Sequence, residues 1–344
     1  MNRLATLSLL AALAAFAPTP ALAPAAADAP EPAPPACEAR LGAGNYDAFL
    51  RTTFVEMGLG AGASVGSRVR APDSFHSSDR PVTGLIADVV DTGWQAPSGD
   101  FVLRGAPEET WVLDVAGVSR VNSRNQGHME LPGEWIHVGC TDTEATAVWQ
   151  TRFDDEPVRV THSFEIPVDG RYVVVRVTLE NRTDTDLEDV YYLRNVDPDN
   201  DQSLHGSYYT VNQVRAQPRP GSALAMVEAT QQFGDGFASE SRMALLANDD
   251  RARAAHGGFR NRSASAVWHG DGVSHSGRNR ADRAISLAYR LDLPAGESTE
   301  LIFAYGLGDG VEAAMSALGG RLPSAPTKPR IAIEPRDFTT RPGR

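Results

Sequence analysis

Lysine is almost missing from this chain. Its 344 residues carry 32 basic side chains, and the single lysine, Lys328, lies close to the C-terminal end. The body therefore offers no amine for Schiff-base chemistry and no phosphate-binding P-loop lysine. Cysteine is as scarce, with only Cys37 and Cys140. The eight histidines stand in no zinc-finger or H-E-x-x-H spacing, and no cysteine pair accompanies them. Positive charge is also in deficit, since 44 acidic residues against 32 basic ones leave a formal net charge of −12. A chain this acidic lacks the basic surface that nucleic acid or anionic lipid requires. Beyond Phe16 no apolar run is long enough for a membrane-spanning helix.

What is present begins with a secretory pattern at residues 1–27. Arg3 supplies the charged start, Leu4 to Phe16 an apolar stretch too short to span a bilayer, and Ala25-Ala26-Ala27 a small-residue cleavage site before Asp28. Pro34 and Pro35 ahead of Ala36-Cys37 exclude a lipoprotein signal, which needs an aliphatic residue there. Two cysteines in an exported chain predict a Cys37–Cys140 disulfide. Export leaves the periplasm, the cell surface and the medium open as destinations.

The remainder divides by texture. Residues 28–40 form a Pro/Ala-rich tether, and 41–308 show short apolar–polar alternation broken by Gly, Pro, Asn and Asp. That texture predicts an all-β fold, a large antiparallel β-sandwich of the supersandwich kind. Residues 309–320 hold a short helix over Val311–Leu318, and 321–344 a disordered basic tail. The clearest hairpin joins Val158–Ile166 to Tyr172–Glu180 across Asp169-Gly170, which supplies the tight turn. A second pair is expected between Ala284–Leu293 and Ser298–Tyr305. Further strands are expected at 47–57, 84–90, 100–103, 111–118, 146–153, 190–196 and 243–246.

The segment richest in chemical information is Tyr191-Tyr-Leu-Arg-Asn-Val-Asp-Pro-Asp-Asn-Asp201. An apolar, strand-forming run ends there in three acids at alternate positions. Asp197, Asp199 and Asp201, with Asn195 adding an oxygen, resemble the first half of a calcium loop. Gln202 and Tyr208 occupy the positions where an EF-hand needs Gly and Glu, so a non-helical Ca²⁺ site is one reading. The other is an Asx-rich turn whose aspartates cap free N–H groups. An Arg194–aspartate pair would suit either.

Other motifs carry less. Gly62-Ala-Ser64-Val-Gly66 matches a nucleophile elbow in letters, yet no helix pattern follows it. The Gly58–Gly66 run reads instead as a flexible loop or a strand packed close to its neighbour. His162 falls on the apolar face of its strand, where a hydrogen-bonded core histidine is expected. His128, Glu130, Glu134 and Trp135 form the best acid–base cluster, a candidate ligand loop in which an aromatic ring beside carboxylates suits a sugar face.

Three places together resemble the adhesin-like β-sandwich domains of secreted bacterial surface proteins. They are Gly105-Ala-Pro-Glu-Glu-Thr-Trp111, the run from Val177-Thr-Leu-Glu-Asn-Arg-Thr183 into Tyr192–Asp201, and Leu293-Pro-Ala-Gly-Glu-Ser298 leading to Phe303-Ala-Tyr-Gly306. The resemblance implies an extracellular sandwich, calcium-stabilised, and transfers no catalytic residue. The favoured function is non-enzymatic: binding, adhesion or envelope structure, with a glycan or an envelope or surface protein as partner. The alternative is a carbohydrate-active enzyme of the mutarotase or lyase type, or a lectin-like glycan-binding module. Its ingredients are His128, Glu130, Glu134, Trp135, Tyr208 and Tyr209.

Overall fold

The structure, a computed structural model, describes residues 36–94, 99–102, 108–123, 127–152, 156–202, 206–231 and 241–319. The expected signal, most of the tether and the basic tail lie outside these residues.

Four short strands come first: Glu38–Leu41 (β1), Ala48–Arg51 (β2), Val55–Leu59 (β3) and Leu85–Ala87 (β4), hydrogen-bonded in that order as a small antiparallel sheet. The tether thus ends earlier than expected, because β1 pairs with β2 from Glu38 onward. The strand expected over 47–57 is two strands, turned at Thr52, whose N–H donates to the Val55 carbonyl. Next come Glu109–Val115 (β5), Val118–Ser123 (β6) and His128–Met129 (β7). The strand expected over 111–118 ends early, because Ala116 and Gly117 both take positive φ and close a two-residue hairpin.

Gly133–Cys140 (β8), Glu144–Thr151 (β9), Val158–Pro167 (β10) and Tyr172–Asn181 (β11) form a meander. The predicted β10–β11 hairpin is present, with Val160 opposite Leu179 and Phe164 opposite Val175. Leu187–Val196 (β12) follows, then Thr210–Ala216 (β13), Leu224–Gln231 (β14), Ser241–Asn248 (β15) and Ala252–Gly257 (β16). Helix Ala264–His269 (α1) was not legible as a helix in the sequence; Ser263 caps its start and Gly270, at φ 93°, ends it. Val273–Ser274 (β17), Arg278–Ala281 (β18), Ala284–Leu293 (β19), Ser298–Leu307 (β20) and helix Gly310–Gly319 (α2) complete the order.

The strands assemble into a nine-stranded antiparallel sheet, β18-β13-β14-β15-β20-β11-β10-β9-β8, and a seven-stranded one, β17-β16-β19-β12-β5-β6-β7. The expected pairing of β19 with β20 does not occur. β19 lies between β16 and β12 in the smaller sheet, and β20 between β15 and β11 in the larger. Alternation in sequence marks each as a strand without naming its partner, and Pro294–Glu297 crosses between sheets. Asn181 stitches that crossing by donating to the Leu293 and Pro294 carbonyls at 2.9 and 3.2 Å.

One large core fills the space between the sheets. It is lined by Trp111, Tyr192 and Tyr289 from the smaller sheet and by Trp149, Phe164, Phe303 and Tyr305 from the larger. Both sheets are also covered outside. α1 packs Val267 and Trp268 on Val112, Leu193 and Ala288, while α2 packs Val311, Ala314 and Leu318 on Ala244, Leu246 and Ile302. This double cover explains why β12 reads as continuously apolar rather than alternating. The predicted Cys37–Cys140 disulfide is formed and ties β8 to the chain just before β1, with the two Cα atoms 6.1 Å apart.

The glycine-rich run 58–66 matches the second reading, a segment packed close to its neighbours. It lies buried between the sheets, with Leu59 bridged to Val65. Gly58 is required there, since a Cβ would stand 2.3 Å from the Thr83 carbonyl oxygen.

Candidate functional site: the carboxylate end of the sandwich

β12 delivers two polar groups of different kinds. Its inward-facing Arg194 is fully buried and makes an ion pair with Glu109 of β5, also fully buried. Tyr305 completes the arrangement, receiving a hydrogen bond from Arg194 Nε at 3.0 Å and donating its own O–H to Glu109 at 3.1 Å. The expected partner of Arg194, an aspartate of the same segment, is replaced by this glutamate. Burial opposes charge on Arg194, yet Glu109 and the two tyrosines overcome it and raise its pKa. Burial pushes Glu109 up, against the pull of Arg194, the Val65 N–H and Tyr305. Beside them, His162 accepts or donates across 3.1 Å to Tyr192, and burial followed by Arg194 holds it neutral. The expectation of a hydrogen-bonded core histidine is met.

These buried groups fasten the glycine loop. Trp149 donates to the Ala61 carbonyl at 2.9 Å, Trp111 and Asn122 to that of Gly62 at 2.6 and 3.1 Å, and Arg194 to that of Ala63 at 3.0 Å. The Val65 N–H donates to Glu109 at 2.7 Å. Backbone carbonyls buried without partners would each cost a few kcal/mol, so the network is the condition for burying this loop.

Beyond Val196 the segment leaves the sheet, and its three aspartates part company. The Asp197 N–H donates to the Glu108 carbonyl at 2.9 Å, which holds the end of β12 against the start of β5. Asn200 anchors the turn to the opposite sheet by donating to the Ala229 and Ser241 carbonyls at 2.9 and 3.2 Å. Asp201, at φ 51°, exchanges bonds with Asp100: each backbone N–H donates to the other residue, at 2.7 and 2.8 Å. Arg80 holds the Asp100 carboxylate at 2.8 Å. Asp201 therefore works as the Asx cap that the second sequence reading describes. Asn195 is engaged elsewhere, donating to the Phe259 carbonyl and accepting from the Ser286 hydroxyl.

Asp197 and Asp199 remain half-buried among carboxylates where strands of both sheets end. Burial first, then repulsion from Asp199, Asp282 and Glu108, pushes Asp197 up to about 8. Burial followed by Asp282, Asp100 and Glu108 pushes Asp199 up to about 7. One oxygen of Asp199 is buried and makes no hydrogen bond among the described residues. β13 and β18 pair through Thr210 and Ala281, and one step beyond that pair stand Tyr209 and Asp282. Tyr208 and Tyr209 are about half exposed, at 52% and 55%. Val211 of β13, Gln231 of β14 and Arg278 and Arg280 of β18 line a cavity of about 550 Å³.

The second candidate set is only partly assembled. His128 Nδ1 lies 3.6 Å from Glu130, whose other oxygen accepts the Val121 N–H at 3.0 Å. Glu134 is exposed on β8, while Trp135 turns toward the core, packs against Phe164 and donates to the Tyr46 carbonyl at 3.0 Å. Successive residues of a strand point to opposite faces, which separates this carboxylate from this ring. Among the described residues, no group of three or more His, Cys, Asp or Glu side chains is arranged to hold a metal ion.

No protein-family model and no curated protein matches the chain. Solved structures do. A bacterial glucoamylase in complex with acarbose is similar over 62% of this chain at 14% identity and TM-score 0.38, and the chain spans only 29% of its length. A galactose mutarotase related enzyme from Lactobacillus acidophilus is similar over 76% of this chain and 97% of its own, at 8% identity and TM-score 0.34. A putative aldose 1-epimerase from Klebsiella pneumoniae is similar over 83% of this chain and 87% of its own, at 8% identity and TM-score 0.35.

Sequence reasoning singled out Asp197 and Asp199 by their spacing. It did not join Asp282 and Glu108 to them, which topology alone brings to the same end. It also missed the Arg194–Glu109 pair, for which the only signal was a single base inside an apolar strand.

Proposed function

We propose that this chain is an exported carbohydrate-active β-sandwich protein of the mutarotase type, with Asp197 and Asp199 as its acid–base pair. Interconverting the anomers of an aldose needs two proton transfers. A base takes the proton of the anomeric hydroxyl while an acid protonates the ring oxygen; the ring opens, the carbonyl turns, and closure reverses both transfers. Two carboxyl groups that hold one proton between them near neutrality supply both roles. The observation that carries the reading is the placement of half-buried Asp197 and Asp199 among Asp282 and Glu108, which favours one protonated carboxyl over two charges. Tyr208 and Tyr209 are half exposed, and Tyr209 stands with Asp282 one step beyond the Thr210–Ala281 pair; sugar C–H groups pack on such ring faces.

Polarimetry or NMR exchange on a panel of aldoses tests this. Wild-type protein should accelerate anomer interconversion, and Asp199→Asn should slow it by about 10²-fold or more, the usual scale of general acid–base catalysis. A wild-type rate equal to that of buffer overturns the reading. Glycan retention without turnover would return the chain to the binding or adhesion class. A calcium ion is the other means by which such carboxylates are relieved of their repulsion, with Asp197 and Asp199 as its first ligands.

A further inference from the structure

A second cavity, of about 350 Å³, lies at the open side of the seven-stranded sheet, away from the carboxylate end. Its wall is built from β16, α1 and the segment that follows β13. Arg253 and Ala255 share the outer face of β16, and Ala255 packs with Trp268 of α1. The Arg253 guanidinium lies over the Trp268 ring at 4.2 Å and donates through one terminal nitrogen to the Trp268 carbonyl at 2.9 Å. Those two contacts fix the plane and the roll of the guanidinium, whose remaining N–H groups meet no acceptor among the described residues.

The other walls are equally set. Gln217 uses both ends of its amide on Ala254, accepting from the N–H at 3.1 Å and donating to the carbonyl at 2.5 Å, and also donates to the His275 carbonyl at 2.9 Å. His275 meets the Val267 carbonyl through Nε2 at 2.8 Å. A carbonyl can only accept, so Nε2 carries a proton. Asp250 also lines the cavity.

The geometry points to this cavity as a binding site for a small carboxylate that carries hydroxyl or ammonium donors at its other end. A planar guanidinium with its orientation fixed is the group best matched to a carboxylate, through paired N–H bonds. Asp250 and His275 line the same space, so a bare anion leaves the Asp250 carboxylate unmatched and a polyol or amino acid satisfies it. A uronic acid and a free amino acid share this chemistry. The cavity volume falls in the range of small-molecule sites. The site is independent of Asp197 and Asp199.

Titration of the mature chain with galacturonate, galactose, glycine and acetate, followed by NMR shifts and calorimetry, tests it. Galacturonate or glycine should bind saturably; galactose and acetate should bind at least tenfold more weakly. Greater affinity for galacturonate assigns a sugar acid, and greater affinity for glycine an amino acid. Arg253→Ala should abolish binding. Arg253→Lys, which keeps the charge and the cover over Trp268 but not the planar fork, should weaken it at least tenfold with an unchanged circular dichroism spectrum. Asp199→Asn should leave it unchanged. No saturable binding by either acid, or equal binding to both Arg253 variants and wild type, overturns the proposal.

Discussion

Arg194 of β12 and Glu109 of β5 form an ion pair in which neither side chain reaches solvent. A buried pair of this kind is costly to break and cheaper to replace, because removing one partner strands the other's charge in the core. Its hydrogen bonds reach Tyr305, Ala63 and Val65, so it joins both large sheets to the glycine loop.

Arg194→Met should therefore lower the free energy of unfolding by about 3–5 kcal/mol. The double substitution Arg194→Met with Glu109→Leu should cost less than the single one. Urea unfolding of the four proteins of the cycle measures this; a double variant no more stable than Arg194→Met alone would contradict it.

Cys37 and Cys140 close a loop of 103 residues. On the chain-entropy model such a closure stabilises the fold by about 4–5 kcal/mol. Replacing both by serine should lower the unfolding free energy by an amount of this order, read from urea midpoints. A change below about 1 kcal/mol would mean that contacts between β1 and β8 already confine the N-terminal strand.

The strand content was legible because β9, β10 and β11 alternate cleanly, and the β10–β11 turn at Asp169-Gly170 leaves one pairing. The partner of β19 was not legible. Alternation reports which residues face a core, and both candidate neighbours offer the same apolar face. Asp197 and Asp199 were visible by spacing, while Asp282 lies 83 positions beyond Asp199 and joins them because β19 pairs with β12, Ile285 opposite Val196. Asp201 fitted the same pattern but turned away, since its positive φ aims its carboxylate at the Asp100 N–H. Arg253 over Trp268 left no trace, because the ring comes from a short helix that the sequence pattern did not mark.

Stability should carry the signature of the raised carboxyls. Their folded pKa values of about 8 and about 7 exceed the unfolded value near 3.9, so between those limits the folded state binds more protons. The stabilising effect of protonation is full below about pH 4 and is lost as pH rises through about 8. Asp199→Asn removes one of the repelling charges. The variant should match or exceed wild type in unfolding free energy at pH 9, by about 1–3 kcal/mol, and differ little at pH 5. A variant less stable than wild type at pH 9 would contradict this.

Calcium discriminates the two ways of relieving that repulsion. If the pair shares a proton, millimolar Ca²⁺ at neutral pH should leave the melting temperature of the wild type within about 1 °C. A calcium-dependent rise that Asp199→Ala abolishes would assign the end of β12 to a cation instead.

The most direct measurement is a carbon-13 titration of the aspartate side-chain carboxyls in the folded protein. The account predicts two coupled titrations near pH 7 and 8 that vanish or shift together in Asp197→Asn and Asp199→Asn. Carboxyl signals that all titrate near pH 4 would contradict it.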